Sequence, residues 1–368
     1  MYEQEFQGDI FYMMLYAVVA ATAVIACCYL LFRRGNAFAP DITTPIRLRR
    51  WTAAFFAATA LCHMWYLPTY FLTSSDDMML SYLIAGLLDT MTVIPLTIVV
   101  MLCMLQDRRR PLWSVAVMVA PLVVGMAWRV VTRSDILPVL YIYAIFMCIG
   151  LIIYMTRAIR QYGRWLRDNY ADLVHKEVWQ SFVVLAIILL SYVIYSLDVG
   201  ERILEYAMEV SNIVLICFFL WRVETLSDLS IPIQTDEAIG DHNRSTMVAL
   251  PAKNIGSLLK QYCEEPQLYL QYDISLPQLA QTIGTNRLYL SQYFSSQGMT
   301  YNAYINGLRI QHFIKLYHEA IAAHQLISVQ QLALQSGFRS YSTFNAAFKQ
   351  SMGMTATGWM RNAGTSES

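Results

Sequence analysis

The chain has 368 residues, of which 57% are hydrophobic and 14% charged, and its formal net charge is zero. Soluble domains carry about 25% charged residues, so the deficit excludes an ordinary soluble protein and points to membrane-spanning segments. The seven cysteines are scattered, mostly one per apolar stretch, with no CxxC pair. That spacing argues against a disulfide framework or a zinc site, and neither a metal nor a cofactor is expected.

The N-terminus carries Glu3, Glu5 and Asp9 and no early basic residue. A cleavable secretory signal needs a positive start, so the first apolar run is expected to be retained as a span. A bilayer crossing takes about 20 helical residues. Seven stretches qualify, at 10–32, 51–72, 78–105, 112–132, 136–155, 179–197 and 203–221, which makes residues 1–221 a seven-span domain. Pro121 and Gly125 interrupt the fourth stretch, and two glutamates mark the seventh.

Basic residues favour every second loop. Arg33, Arg34, Arg47, Arg49 and Arg50 follow span one. Arg108, Arg109 and Arg110 follow span three, and Arg157, Arg160, Arg164, Arg167 and Lys176 follow span five, thirteen in all. The alternate loops hold three, Arg129, Arg133 and Arg202, beside Asp76, Asp77, Asp135, Asp198 and Glu201. Positive charge stays in the cytoplasm. The expected topology in a bacterial inner membrane is therefore N-terminus outside and C-terminus inside.

Ionisable residues inside spans are costly and are the default candidates for function. They are His63 in span two, Asp89 in span three, and Glu205 and Glu209 in span seven; Arg129, at the outer end of span four, is available to pair with one of them. Glu205 and Glu209 share a helix face. A small-molecule signal pocket or plain interhelical hydrogen bonds both fit these five residues. A retinal Schiff base does not, because the only lysine before residue 253 is Lys176, in a loop. No GxxxxGK[ST], GxSxG or HExxH pattern occurs, so no enzymatic activity is expected.

From 222 to 251 the chain turns polar, with Pro232, Gly240, Pro251 and five acidic residues. It reads as a flexible cytoplasmic tether with a reach of about 30 Å. A second, helical domain is expected over 252–362 and a short disordered tail over 363–368.

Within that domain one pattern occurs twice, from Ser275 to Thr300 and from Ser328 to Thr355. Ser275, Gln278, Leu279, Ala280 and Gly284 match Ser328, Gln331, Leu332, Ala333 and Gly337, and Gly298-Met299-Thr300 recurs as Gly353-Met354-Thr355. In each copy a Ser-x-x-Gln box opens a short helix and a glycine closes it. A second helix follows, with Leu290 and Phe294 or Phe344 and Phe348 on its buried face. Each copy is a helix-turn-helix whose second helix is free to enter a major groove. Residues 301–320 read as a linker helix that spaces the two heads. The expected fold class is all-α, a seven-helix membrane bundle followed by a soluble helical domain.

Residues 252–362 resemble the AraC/XylS family of transcription regulators. The match runs through Gly284-Thr285-Asn286-Arg287, Tyr289-Leu290-Ser291 and Leu308-Arg309-Ile310, then Ser336-Gly337-Phe338-Arg339-Ser340, Phe344, Phe348-Lys349 and Gly353-Met354-Thr355. Membrane-tethered regulators of this kind resemble those of Bacteroidetes-type bacteria. The resemblance implies double-stranded promoter DNA as partner. It puts base-reading positions at Arg287, Leu288, Ser291 and Gln292 in copy one and at Tyr341, Ser342, Asn345 and Ala346 in copy two. Arg287 suits guanine, and Gln292 or Asn345 suits adenine. Arg339 and Lys349 suit phosphate, and Ser340 suits a helix cap.

Two residues depart from the family pattern. Phe313 stands where an alanine is usual, and Ala356 stands where a proline is usual. Copy two also offers few long side chains for base reading. Residues 251–368 carry a net charge of +3, low for a nucleic-acid binder and suited to a homodimer. The expected function is a membrane-tethered regulator that couples an external or membrane signal to promoter binding. The alternatives are a transporter or receptor whose C-terminal domain is a protein-interaction module, and a tethered regulator released by proteolysis.

Overall fold

The computed structural model describes residues 10–40, 42–183, 186, 202–229, 252–324 and 328–365. Among these residues the protein is helical, with one isolated antiparallel bridge between Tyr170 and Ser275. The tether from 230 to 251, most of the sixth expected span and the tail from 366 lie outside the described residues. The chain forms two compact units, Met1–Tyr162 with Val178–Ile231, and Gly163–Glu177 with Pro232–Ser368.

The first unit contains α1 (Ile10–Phe32), α2 (Ile46–Trp65), α3 (Ser75–Met91), α4 (Val93–Met104), α5 (Trp113–Thr132), most of α6 (Leu137–Asn169) and α7 (Arg202–Thr225). Among the described residues, five helical stretches are long and apolar enough to cross a membrane: Ile10–Phe32, Ser75–Met104, Trp113–Thr132, Leu137–Asn169 and Glu205–Thr225. Seven were expected. Helix α2 does not qualify on composition, because Arg47, Arg49, Arg50, Thr52, Thr59 and His63 dilute its apolar run. It packs instead against α1, α4 and α7, with Phe55 on Phe219 at 5.4 Å between ring centres. The third expected span is two helices. Pro95 cannot donate to the carbonyl one turn back, and the chain bends at Thr92, where φ is −119° and ψ is −65°. Pro121 is tolerated inside α5. Gly125 leaves room for the Leu140 side chain of α6, which a Cβ there would meet.

At one end of this unit the exit of α7 is stitched down. Glu224, fully buried, pairs with Arg33 at 3.2 Å, and its carbonyl accepts from Asn36 Nδ2 at 2.7 Å. Gln106 donates to Ser227 O at 2.9 Å and accepts from Leu229 N at 2.8 Å.

The second unit contains α8 (Ala252–Leu259), which runs on into a π-helical turn, Lys260–Glu264. It continues with α9 (Leu276–Thr282), α10 (Arg287–Ser296), the linker helix α11 (Tyr301–Ala322), α12 (Val329–Gln335), α13 (Tyr341–Met352) and α14 (Ala356–Thr365). Two small cores form. The first gathers Leu259, Cys263, Leu279, Ala280, Leu290, Phe294 and Ile305, and burial pushes the Cys263 thiol up to about 12. The second gathers Ile310, Phe313, Leu332, Phe338, Phe344 and Phe348. Helix α11 feeds both. Phe313 is central to the second core, 4.4 Å from the Phe344 ring centre, so the residue larger than the family pattern is absorbed by aromatic packing. Ala356, in the other departing position, is also fully buried in that core.

The second unit also takes in residues 163–177, which the sequence analysis assigned to the membrane half. Ala171 is buried in the first core. Asn302, on α11, donates to Ala171 O at 2.6 Å and Tyr170 O at 3.2 Å. Lys176 is 3% exposed and pairs with Asp273 at 2.8 Å. It lies in a loop, as expected, and there serves as a structural ion-pair partner within this unit.

Gly284 and Gly337 close the first helix of each copy with φ of +73° and +85°. A Cβ on Gly284 would meet open space, whereas one on Gly337 would lie 2.7 Å from the Leu270 backbone. Gly284→Ala is expected to cost about 1–2 kcal/mol from left-handed strain alone. Gly337→Ala is expected to cost distinctly more, because backbone must move. Thermal unfolding of the two variants checks the order.

Candidate nucleic-acid interface

The two copies build their reading helices from the same local devices. In copy one, Ser275 donates through its N–H and its hydroxyl to Gln278 Oε1, each at 2.9 Å, within a capping box. In copy two, Gln331 N–H donates to Ser328 Oγ at 3.2 Å and Ser328 N–H to Gln331 Oε1 at 3.4 Å. Asn286 caps α10 by accepting from Tyr289 N at 2.9 Å. Ser340 caps α13 by accepting from Thr343 N at 3.2 Å. Each cap is worth about 1 kcal/mol and sets where the reading helix begins.

Burial then sorts the faces. Leu290 and Phe294 anchor α10, and Phe344 and Phe348 anchor α13. On the far side of α10, Leu288 is 58% exposed and Gln292 is exposed; Ser291 is half-buried, and so is Arg287, which begins the helix on the side of its anchors. On α13, Ser342, Ala346 and Lys349 are exposed. Asn345 is half-buried, and its Oδ1 has no hydrogen-bond partner. Tyr341 is half-buried and packs on the second core, 5.9 Å from the Phe344 ring centre. Arg339 lies over the Tyr272 ring at 5.6 Å. Of the sequence positions chosen for DNA, Leu288, Gln292, Ser342, Ala346 and Lys349 thus lie exposed on two capped helices, Arg287, Ser291 and Asn345 are half-buried, and Tyr341 and Arg339 are partly committed to packing. Sequence reasoning missed Asp168, which lies within electrostatic reach of Arg287. No local pattern marks it, because the two residues are far apart in the chain.

Among the polar residues of the membrane half, His63 and Glu209 are brought together. Both are buried, with His63 Nε2 3.2 Å from Glu209 Oε2. His63 Nδ1 lies 2.7 Å from Thr59 O. A carbonyl only accepts, so Nδ1 carries a hydrogen, and the Nε2–Oε2 contact shares one further proton. Asp89 accepts from Trp65 Nε1 at 3.0 Å. Glu205 lies one turn before Glu209, half-buried. Arg129, expected to pair with one of these acids, makes no ion pair or hydrogen bond among the described residues.

A family model described as a helix-turn-helix domain matches residues 279–362. No curated protein and no solved structure matches the chain. The matched span begins inside α9, covers α10, the linker helix and all of copy two, and supports a DNA-binding transcription regulator.

Arg287→Ala is expected to cost about 1–3 kcal/mol at one base position and to relax specificity there. Lys349→Ala is expected to weaken all sequences alike and to reduce the salt slope by about one. Fluorescence anisotropy on a DNA library at several salt concentrations separates the two.

Proposed function

We propose that this protein is a membrane-tethered, sequence-specific regulator whose two reading heads bind double-stranded promoter DNA in the cytoplasm. The observation that carries the reading is the doubled, capped helix-turn-helix with its outer faces free, over the residues that match the helix-turn-helix family model. The five apolar helices support the membrane anchor. The seven-span count, the N-terminus outside and the inner-membrane location follow from apolar runs and loop charge. Arg287, Leu288, Ser291 and Gln292 read bases in the first head, and Ser342, Asn345 and Ala346 do so in the second, with Tyr341 beside them. Arg339, Ser340 and Lys349 hold the backbone. Two heads on one rigid linker suit successive major grooves about 34 Å apart.

Coupling to a signal is part of the proposal. The buried His63–Glu209 pair, with Asp89 and Glu205 nearby, is the candidate sensing site. A signal acts by binding two states of the bundle unequally. Helix α6 starts among the apolar helices, and the residues that follow its end are built into the first reading head. This supports a route through α6 and Ala171, in addition to the tether.

The test is to map DNA bound by tagged full-length protein in its native cells. Discrete sites that vanish with Arg287→Ala are expected. No sites for either the full chain or its C-terminal domain would sink the DNA reading. The double variant Asn302→Ala/Asp273→Ala is expected to retain those sites in vitro while target expression stops following conditions. Unchanged regulation in that variant would exclude the route through α6.

A further inference from the structure

Four arginines converge on one cavity in the first unit. Arg47 comes from the first turn of α2, and Arg108, Arg109 and Arg110 come from the turn between α4 and α5. The cavity measures about 330 Å³, and Leu48, Leu102 and Leu105 supply an apolar wall. Arg110 is buried; its Nη atoms donate to Leu105 O at 3.0 Å and to Asp107 at 2.8 Å. Its Nε has no partner. Arg47, Arg108 and Arg109 are exposed and make no ion pair or hydrogen bond among the described residues. The one acid in the wall is Asp228.

Like charges gathered around a concave site repel one another until an anion enters. Guanidinium groups match phosphate oxygens two at a time. An apolar wall next to the basic cluster, at the ends of helices long and apolar enough to span a bilayer, is also how basic pockets between membrane helices hold phosphate headgroups. The cavity has a second property. Gln106 forms part of its wall and is the residue that holds Ser227 and Leu229 at the exit of α7. An occupant therefore sits on the clamp through which the chain leaves the bundle towards the reading heads.

We propose that this cavity is a binding site for a phosphate ester, supplied by an anionic phospholipid headgroup or by a soluble phosphate compound. The site does not depend on the DNA reading, and its test does not use DNA. Purified full-length protein in neutral detergent is melted with dioleoylphosphatidylglycerol, with dioleoylphosphatidylcholine, or with inorganic phosphate against chloride at matched ionic strength. The double variant Arg47→Ala/Arg109→Ala is run beside it. Both side chains are exposed and unpaired, so the variant's midpoint without additive is expected to equal that of the wild type. Binding to the native state raises the midpoint by roughly a few degrees. A rise with phosphatidylglycerol but not phosphatidylcholine, lost in the double variant, establishes the lipid source. A rise with inorganic phosphate alone, lost in the variant, establishes the soluble source. No rise with either probe, or an equal rise in the variant, overturns the proposal.

Discussion

The arrangement of the two reading heads depends on one buried guanidinium. Arg309 sits on the linker helix, 1% exposed. Its Nε donates to Tyr269 O and its Nη2 to Gln271 O, both at 2.7 Å, and its plane lies over the Phe338 ring at 5.6 Å. The carbonyls belong to the first copy's entry turn and the ring to the second copy's core. Burial lowers the Arg309 pKa to about 10, still far above neutral pH, so the group stays charged and must keep its acceptors. Gly337 closes on the same seam, against the backbone of Leu270, and Arg339 stacks on Tyr272. Four successive residues, Tyr269 to Tyr272, thus touch both heads. Rotating one head against the other would strand a buried charge, which resists motion far more strongly than the loss of an apolar contact does.

What was legible in the sequence was local. Capping boxes at Ser275 and Ser328, left-handed glycines and aromatic pairs four residues apart all work within one or two turns, so a single chain shows them. The apolar runs of α1, α5 and α7 were legible for the same reason. The exposed side of α10 was legible too, because Leu290 and Phe294, four residues apart, mark the buried one. Long-range contacts were not legible. An arginine inside a helix reads as surface, and only the fold decides that Arg309 is buried. The loop position of Lys176 was legible but its burial in an ion pair was not, because its partner Asp273 lies 97 positions away. The polar residues of α2 were in plain view, but the burial of His63 between Tyr16 of α1 and Glu209 of α7 needed the structure.

The membrane half shows the complementary rule. A buried ionisable group in apolar surroundings persists where it is partnered. His63 and Glu209 neutralise each other across two helices, Asp89 takes the Trp65 indole, and Glu224 takes Arg33. Two of these three contacts, at Glu209 and at Glu224, involve α7. That helix is therefore held at two depths by polar bonds, and its position is more tightly specified than that of α5, whose partners are apolar apart from the Tyr143 hydroxyl on Met118 O.

These strengths bear on the proposed coupling. Allosteric coupling energies are typically about 1–3 kcal/mol. The bonds between residues 170–177 and the first head comprise two side-chain amide hydrogen bonds, one backbone hydrogen bond and one ion pair half open to solvent. Net values near 1 kcal/mol per hydrogen bond, and less for a partly exposed ion pair, sum to about 3–4 kcal/mol, at or just above the top of that range. A segment held this strongly responds to a modest shift in its helix, yet stays docked without one. The Arg309 seam is stronger and internal to the domain. A signal arriving through α6 would then loosen or tighten the first head as a whole before it altered the spacing between the heads. Residues 251–368 carry a net charge of only +3, which keeps background affinity for DNA low, so a change of that size moves occupancy between largely free and largely bound.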